Sequence, residues 1–158
     1  MNTLVVYESK SGCTKDCAEK IAKILKGHTR VAALKQAVKE DLKSYDTIVV
    51  GSPVYAGKIQ KDIVSFCNNY KDVLMQKKLG LFLCSATPVN EPGFLEKFFA
   101  PDLYKHAVSK RNLGGEYRLD KMNIMTRKMI QMLLKSGKAE APHVDENEIK
   151  KFAEEMNN

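Results

Sequence analysis

The sequence predicts an α/β protein in which a five-stranded parallel sheet lies between two layers of helices. Apolar, β-branched runs alternate along the chain with amphipathic helix patterns, and this alternation is typical of right-handed βαβ crossovers. The length of 158 residues suits one domain, residues 1–158, which buries enough surface to fold without a disulfide or a metal. We therefore expect a doubly wound, three-layer sandwich that binds its ligand beyond the carboxyl ends of the strands.

Five runs are predicted as strands. The first, third and fourth are largely apolar, as buried parallel strands are, and the second is short. The fifth is polar in its middle, at Ser109, Lys110 and Arg111, which favours a position at the edge of the sheet. The predicted strands are Thr3–Tyr7, Arg30–Leu34, Thr47–Gly51, Leu79–Ser85 and Ala107–Leu113.

Helices are predicted between and after these strands. The first has apolar residues at offsets of three and four, with Gly27 as its stop. The last begins at Asp145, which has capping-box spacing to Glu148. The predicted helices are Thr14–Lys26, a short one near Glu40–Ser44, Ile59–Tyr70, a short one at Gly93–Phe99, Met122–Lys135 and Asp145–Met156.

The turn that leaves the first strand carries the clearest functional signal. Three hydroxyl residues and one glycine stand within six positions, directly before a helix. Backbone N–H groups in such a turn point inward, and the helix N-terminus favours negative charge, so the turn suits a phosphate. The alternative is a simple N-cap run. The candidate phosphate-binding residues are Ser9, Lys10, Ser11, Gly12, Cys13 and Thr14, with the two lysines Lys10 and Lys15 expected to be solvated.

Two further loops are predicted to meet this turn at the same edge of the sheet. The loop after the third strand combines a proline and an aromatic residue between two glycines, which suits one wall for a planar ligand. Its candidate binding residues are Ser52, Pro53, Val54, Tyr55, Ala56 and Gly57. The loop after the fourth strand, with Ser85, Ala86 and Thr87, is predicted to form the opposite wall. Ordinary strand–helix turns are the alternative for both loops.

These three loops resemble those of the flavodoxin family. Ser9, Ser11, Gly12 and Thr14 match its [ST]-x-[ST]-G-x-T phosphate signature, and residues 51–57 (GSPVYAG) are similar to its second, isoalloxazine-side loop. The resemblance covers nearly the whole chain. It implies non-covalently bound FMN and a sheet of order 2-1-3-4-5. With FMN bound, we expect Tyr55 to pack against the flavin ring, and we hypothesise that the positive charge of Lys58 favours the reduced, anionic flavin.

The C-terminal half looks most like the menaquinone-dependent protoporphyrinogen dehydrogenase branch of that superfamily. The shared features are residues 112–117 (NLGGEY) and a basic helix with Met122, Met125, Met129 and Met132. This helix has an apolar arc over about half its circumference, and we expect it to cover the sheet. The alternative is a surface that contacts a membrane or a quinone.

The net charge of +7 indicates an anionic partner, and charge alone does not choose between an acidic protein, a membrane surface and nucleic acid. No run is long enough to span a membrane, and no signal-peptide pattern opens the sequence. We expect a cytoplasmic protein, with a peripheral position at the inner face of the membrane as the alternative. Nucleic acid is not an expected partner.

Few residues outside the loops suggest chemistry. We identify no catalytic or metal-ligating residues, and His28, His106 and His143 are expected at the surface. The cysteines Cys17, Cys67 and Cys84 are expected as small buried residues, whereas Cys13, at a helix N-terminus, is a candidate for a reactive thiol.

Three functions remain open at this point. The first is an FMN protein that carries electrons between redox partners, and the second is an FMN dehydrogenase that oxidises a porphyrinogen and reduces a quinone. The third is a domain that has lost flavin and acts through protein contacts. We favour the electron carrier.

Overall fold

A computed structural model describes residues 1–158 and confirms the predicted three-layer α/β sandwich. The strands β1, β2, β3, β5 and β6 pair in parallel in the order β2-β1-β3-β5-β6, while β4 pairs antiparallel with β3 only. Without β4, this is the expected order 2-1-3-4-5. The strands are β1 (Asn2–Tyr7), β2 (His28–Ala33), β3 (Thr47–Tyr55), β4 (Lys58–Ile59), β5 (Lys78–Cys84) and β6 (Ser109–Asn112).

Seven α-helices and three short 3-10 turns lie between and after the strands. The four short α-helical and 3-10 segments that the sequence did not predict have three to six residues each, too few to carry a periodic pattern. The helices are α1 (Cys13–Ile24), α2 (Leu34–Ala37), α3 (Lys61–Asn69), α4 (Lys71–Leu74), α5 (Pro101–His106), α6 (Ile124–Lys135) and α7 (Glu146–Asn157), and the 3-10 turns are Leu42–Ser44, Leu95–Lys97 and Leu119–Lys121. No helix combines the length and the apolar character that crossing a membrane requires.

Alternation along the strands divides the core into two parts. In β1, Leu4 and Val6 point to one face of the sheet and Val5 points to the other, as the period of two requires. The first face packs against α2, α3 and α5, and the second packs against α1 and α7. Both faces are therefore covered, which explains why the central strands are apolar throughout.

A close approach in the second core fixes one residue of β3. Phe82 of β5 lies across the backbone of Gly51, its register partner, and a Cβ at position 51 would stand 2.0 Å from the Phe82 ring. Only glycine leaves room for that ring, whose edge meets Phe152 of α7 at a centroid distance of 5.9 Å. Thus β3, β5 and α7 are locked together immediately below the loops predicted to bind ligand.

The edge position of β6 is confirmed, and α7 explains the polar middle of this strand. Arg111 binds Glu148 at 2.6 Å and also pairs with Glu155, while Ser109 donates to Glu155 at 2.6 Å. Burial alone would raise the pKa of Glu148, but hydrogen bonds from Lys151 and Arg111 outweigh it and hold that pKa below its ordinary value. The pKa of Glu155 is lowered in the same way, by Arg111 and Ser109 against burial.

The segment after Gly51 differs from the prediction because β3 continues to Tyr55 instead of ending at Gly51. It turns back through β4, with Val54 opposite Ile59 and Tyr55 opposite Lys58. The predicted second loop is therefore largely a β-hairpin, and the helix expected from Ile59 begins at Lys61 as α3. Residues 58–59 are used for pairing and are not free to join the helix.

The expectation that the helix over Met122–Lys135 covers the sheet is wrong. It begins at Ile124 as α6, and none of its residues is buried. Most of its apolar residues are exposed to solvent, Met125 by 84% and Met132 by 70%, while Ile130 and Leu134 are half-buried. Asn123 caps the helix by accepting from the Thr126 N–H at 2.8 Å. None of the apolar residues of α6 belongs to either part of the core.

Candidate functional site

A cavity of about 470 Å³ opens at the carboxyl ends of the central strands, which is where a doubly wound sheet is expected to bind its ligand. This volume lies in the range of sites for small molecules and cofactors. Five segments form the walls. The lining residues are Lys10, Ser11, Cys13 and Thr14 after β1; Pro53, Val54 and Tyr55 in the hairpin; Cys84, Ser85 and Ala86 at the end of β5; Gly115, Glu116, Tyr117 and Arg118 after β6; and Lys121, Met122, Asn123, Thr126, Ile130 and Pro142 around α6.

The turn after β1 has the geometry of an anion-binding helix N-terminus. Gly12 has a φ of 98°, a left-handed conformation that suits glycine, and its N–H donates to Ser9 Oγ at 2.9 Å. Ser9 therefore holds the turn in shape. No side chain caps α1. Its first N–H groups therefore lack a side-chain capping partner, as an incoming anion requires, and its first two residues, Cys13 and Thr14, line the cavity.

Thr14 supplies an independent indication that this turn binds a ligand. Its hydroxyl is buried and has no hydrogen-bond partner within the protein. A buried polar group of this kind costs about 1–3 kcal/mol if nothing binds it. Since Thr14 lines the cavity, a ligand oxygen at the N-terminus of α1 would satisfy it.

Arg118 brings a positive charge to this turn from the segment after β6. Its guanidinium donates to the Ser11 carbonyl oxygen at 3.2 Å and to Asp16 Oδ2 at 2.6 Å. Glu116 binds the same side chain at 2.5 Å. The hydrogen bond to Asp16 is the main reason that the pKa of Arg118 is raised further above its ordinary value. A fixed cation therefore lies against the phosphate-type loop.

The β3–β4 hairpin forms the second wall of the cavity. Ala56 and Gly57 at its tip both have positive φ, 48° and 70°, as tight hairpin turns of this type require. Pro53, Val54 and Tyr55 line the cavity, and Tyr55 is 40% exposed.

Ser52 plays a structural role at the base of this hairpin. Its hydroxyl is buried, donates to the Pro53 carbonyl at 3.0 Å and accepts from the Gln60 N–H at 3.2 Å. It thereby ties the returning chain to β3. Ser52 does not line the cavity, and neither do Ala56 and Gly57 at the tip.

The positive charge in the cavity lining does not come from Lys58, the residue that the sequence analysis proposed. Lys58 stands opposite Tyr55 in the hairpin and does not line the cavity. Lys10 lies with its Nζ 5.1 Å from the centre of the Tyr55 ring, within the range of a cation–π contact, so this lysine is not only solvated. Lys10, Arg118 and Lys121 are the cations in the lining.

The loop after β5 forms the third wall, as its position predicted. Ser85 and Ala86 line the cavity, and Ser85 Oγ accepts from the Thr87 N–H at 3.1 Å. Thr87 lies outside the lining; its carbonyl accepts from Asn112 Nδ2 at 2.8 Å. Six of the predicted ligand residues therefore lie outside the cavity lining: Ser9, Gly12, Ser52, Ala56, Gly57 and Thr87.

Sequence reasoning missed the fourth wall, which follows β6. Gly114 adopts a φ of 76° and pairs with Val144, and Ser85 donates its N–H to the Gly114 carbonyl at 3.0 Å. A Cβ at Gly115 would stand 3.0 Å from the Ser85 backbone. The Gly-Gly pair thus lets the chain run tightly beside the third loop and carries Arg118 to the phosphate-type turn. The adjacent glycines were the available signal.

The histidines lie at or near the surface, whereas the cysteines are buried. His28 and His143 are exposed and His106 is half-buried, with His106 Nε2 2.8 Å from the Lys77 carbonyl. All four cysteines are buried. Hydrogen bonds with Cys17 and Cys84, followed by the Glu116 backbone and the charge of Arg118, lower the pKa of Cys13 well below its ordinary value.

Together these groups suit a phosphorylated planar cofactor. The turn after β1 offers a free helix N-terminus, an unpaired hydroxyl and a neighbouring guanidinium. The hairpin and the loop after β5 offer an aromatic ring and small residues. The arrangement fits the FMN that the sequence resemblance implied.

Comparison with solved structures gives the same fold. The two-electron reduced flavodoxin of Megasphaera elsdenii has a TM-score of 0.58 and 19% identity over 70% of this chain and 84% of its own. Oxidised flavodoxin 1 from Bacillus cereus has a TM-score of 0.56 and 18% identity over 85% and 98%. A flavoprotein in complex with FMN from Lactobacillus acidophilus has a TM-score of 0.52 and 21% identity over 70% and 92%.

Comparison with curated protein sequences gives no match. The family model described as "Flavodoxin domain" matches residues 4–143 and so includes all the segments that line the cavity. This match supports FMN as the cofactor and electron transfer as the general class of activity. The match does not identify the chain as a member of the narrower protoporphyrinogen dehydrogenase branch. From the match over most of its length, we conclude that this chain belongs to the flavodoxin family.

Proposed function

We propose that this protein binds FMN in the cavity at the carboxyl ends of its strands and transfers electrons between redox partners. One observation carries the proposal above the others: the buried Thr14 hydroxyl lacks a partner at the N-terminus of α1, where no side chain caps the helix. FMN supplies the one- and two-electron chemistry when it is bound. The protein supplies the binding and the electrostatic environment.

The residues around the turn after β1 are suited to hold the phosphate group. Ser11 and Thr14 offer hydroxyl donors, and the first N–H groups of α1 add the partial positive charge of the helix. Arg118, held by two carboxylates, adds a cation without having to be recruited from solvent. Because these groups are already in place, little ordering is needed when the phosphate binds.

The flat part of the cofactor is expected against the hairpin and the loop after β5. Pro53 and Tyr55 line one side and Ala86 belongs to the loop that forms another. Backbone groups of these loops would bond the polar edge of the flavin. Tyr55 and Lys10 are both exposed at the mouth, so the site stays accessible to a partner.

Charge favours an acidic redox partner. The net charge is +7, and the cations Lys10 and Lys121 are exposed where the cavity opens. Complementary charge speeds the encounter of two proteins and makes the rate depend on salt. An acidic partner protein would therefore dock at the basic mouth of the cavity.

A titration with FMN tests the cofactor assignment. We expect one FMN to bind, and we expect Thr14→Val to weaken binding by about 10- to 150-fold, because a hydrogen bond to a charged group contributes about 1.5–3 kcal/mol. The matched control is Thr3→Val, which also removes a buried, unpaired hydroxyl but far from the cavity lining, in β1. Equal affinities for wild type and Thr14→Val would contradict the assignment.

Electron transfer from the reduced, FMN-loaded protein to small oxidants tests the role of charge. We expect an anionic metal complex to be reduced faster than a cationic complex of similar potential, and the difference to shrink as salt screens the basic mouth. The double variant Lys10→Glu and Lys121→Glu should reverse the preference. If the two oxidants respond equally to salt in the wild-type protein, charge does not select the partner.

A second candidate function is suggested by α6. Its exposed residues include Met125 and Met132, while Met122 and Ile130 beside them line the cavity. An apolar surface that continues from solvent into a cofactor cavity suits an apolar electron acceptor, such as a quinone in a membrane surface. This candidate is the quinone-linked dehydrogenase, with a peripheral membrane position.

Binding to lipid vesicles separates the two candidates. If α6 contacts membrane, the protein should sediment with vesicles containing anionic lipid, and Met125→Ser with Met132→Ser should abolish this. The control Val64→Ser changes an exposed apolar residue on α3 and should leave binding intact. Turnover with protoporphyrinogen and menaquinone then tests the reaction. No vesicle binding and no turnover would leave the electron carrier as the function.

A further inference from the structure

Three of the four cysteines gather beneath the phosphate-type turn. Cys13 is the first residue of α1, Cys17 follows one helical turn later on the same face, and Cys84 ends β5. Their Sγ atoms all lie within 4.8 Å of one another, and all three side chains are buried. Nothing in the electron-transfer function requires this cluster. The sequence alone did not suggest it, because about 70 residues separate Cys84 from the other two.

We propose that Cys13, Cys17 and Cys84 form a three-thiolate binding site for a thiophilic d10 cation, Zn²⁺ or Cu⁺. Thiolate ligands lie about 2.3 Å from zinc, so sulfur atoms that share one cation are roughly 3.8–4.0 Å apart. The three sulfurs already stand within 4.8 Å of one another. They need to move by less than about an ångström to enclose an ion.

The chemistry of the ligand set selects the class of cation. All three ligands are sulfur, which soft d10 ions prefer, whereas Mg²⁺ and Ca²⁺ prefer oxygen. Cys13 and Cys17 also line a second cavity, of about 430 Å³. A water molecule in this cavity would complete the four ligands of Zn²⁺. Cu⁺ would use the three thiolates alone.

The helix N-terminus, and not the side chains of the second cavity, offsets part of the negative charge of such a site. That cavity is lined by the cations Lys20, Lys23 and Arg118 but also by the carboxylates Asp16, Glu19, Glu116 and Glu146, so its side chains add no net positive charge. The N-terminus of α1 adds partial positive charge at Cys13. A buried group of thiolates would otherwise be costly.

The competing use of the same cluster is a disulfide between two of the cysteines. One disulfide would join two sulfurs and leave the third as a thiol, so it does not use the mutual proximity of all three. Cys13 and Cys17 are four residues apart in a continuous helix, where the backbone fixes both Cβ positions. The proposed metal site uses all three side chains with the helix intact.

The test measures metal binding by the full chain under a phosphine reductant, which keeps thiols reduced without ligating as dithiols do. Zn²⁺ and Cu⁺ are each titrated in competition with a chromophoric chelator. We expect one equivalent of at least one ion to bind. Each of Cys13→Ser, Cys17→Ser and Cys84→Ser should weaken binding by more than about 100-fold, since loss of an outer-shell partner alone costs 10–100-fold.

Cys67 provides the matched control. It is equally buried but belongs to the hydrophobic cluster on the opposite face of the sheet. Cys67→Ser should bind metal like the wild type. Circular dichroism spectra and thermal melts of every variant establish that it is folded. Co²⁺ added to the wild type should give a thiolate charge-transfer band that the triple variant lacks.

The outcomes separate the alternatives. Tight Zn²⁺ binding supports the four-ligand form and tight Cu⁺ binding supports the three-ligand form. The proposal is overturned if the reduced protein binds neither ion at one equivalent. It is also overturned if the folded triple serine variant binds as well as the wild type, or if two of the cysteines form a disulfide while the reduced protein ignores both ions.

Discussion

Replacement of Arg118 by glutamine tests whether the turn after β1 binds a phosphate. In the structure the guanidinium contacts the Ser11 carbonyl at 3.2 Å and is shared by Asp16 and Glu116. With Arg118 the three charged groups sum to −1, and without it the two carboxylates stand alone at −2. Arg118→Gln therefore makes the surroundings of the turn more negative by one charge while keeping a polar side chain.

The size of the effect follows from Coulomb's law. A unit charge about 6 Å from a phosphate contributes roughly 0.7 kcal/mol at the dielectric constant of water and roughly 2.8 kcal/mol at an effective value of 20. Arg118 is only about one-quarter exposed, so the true value lies between these limits. We expect FMN to bind roughly 3- to 100-fold more weakly, with the larger losses at low salt.

The assay compares FMN with riboflavin, which has the same ring and lacks the phosphate. Arg118→Gln should weaken FMN binding and leave riboflavin binding nearly unchanged. The control Arg30→Gln removes an arginine of the same charge that pairs with Glu40 at the surface of β2. If riboflavin loses as much affinity as FMN, Arg118 acts on the shape of the cavity and the reasoning from charge is wrong.

Two further predictions concern stability. Gly51→Ala should lower the free energy of unfolding by about 1–3 kcal/mol and the melting temperature by roughly 2–12 °C, because the new Cβ meets the Phe82 ring at 2.0 Å. Adding Phe82→Leu to this variant should restore part of the loss. An unchanged melting temperature in Gly51→Ala would contradict the packing. The pKa values of Glu148 and Glu155 beside Arg111 are below their ordinary 4.5, so the stability they contribute is present above about pH 4.5 and is lost as the pH falls through their lower values in the folded state. The urea midpoint should therefore drop less between pH 6 and pH 3 in Arg111→Gln than in the wild type. An equal drop in both proteins would exclude this ion cluster as the cause of the acid destabilisation.

The sheet could be predicted from sequence because its signals are local. Runs such as Leu4–Val6 and Ile48–Val50 are apolar throughout, and the helix patterns between them leave few other topologies. The turn after β1 was predictable for the same reason, since its hydroxyls and glycine are neighbours in the chain. The hairpin after β3 was missed because its tip is Ala-Gly and lacks the Asn-Gly signal of a tight hairpin turn. Ala56 adopts the positive φ that asparagine or glycine usually supplies at this position.

The rest of the site depends on contacts between distant segments. Arg118 contacts a turn more than 100 residues earlier in the chain, and Cys84 at the end of β5 lies beside Cys13 at the start of α1. No local pattern encodes either contact. The exposed position of α6 was also unpredictable, because an apolar arc on a helix has the same sequence whether it faces a core or a solvent-exposed partner surface.

The central claim is that the turn after β1 holds the phosphate of FMN. A crystal structure of the protein grown with FMN tests it most directly. The claim predicts a phosphate oxygen within about 2.5–3.0 Å of Thr14 Oγ1, at the N-terminus of α1. A crystal that contains flavin with its phosphate elsewhere, or one that excludes FMN at saturating concentration, would contradict it.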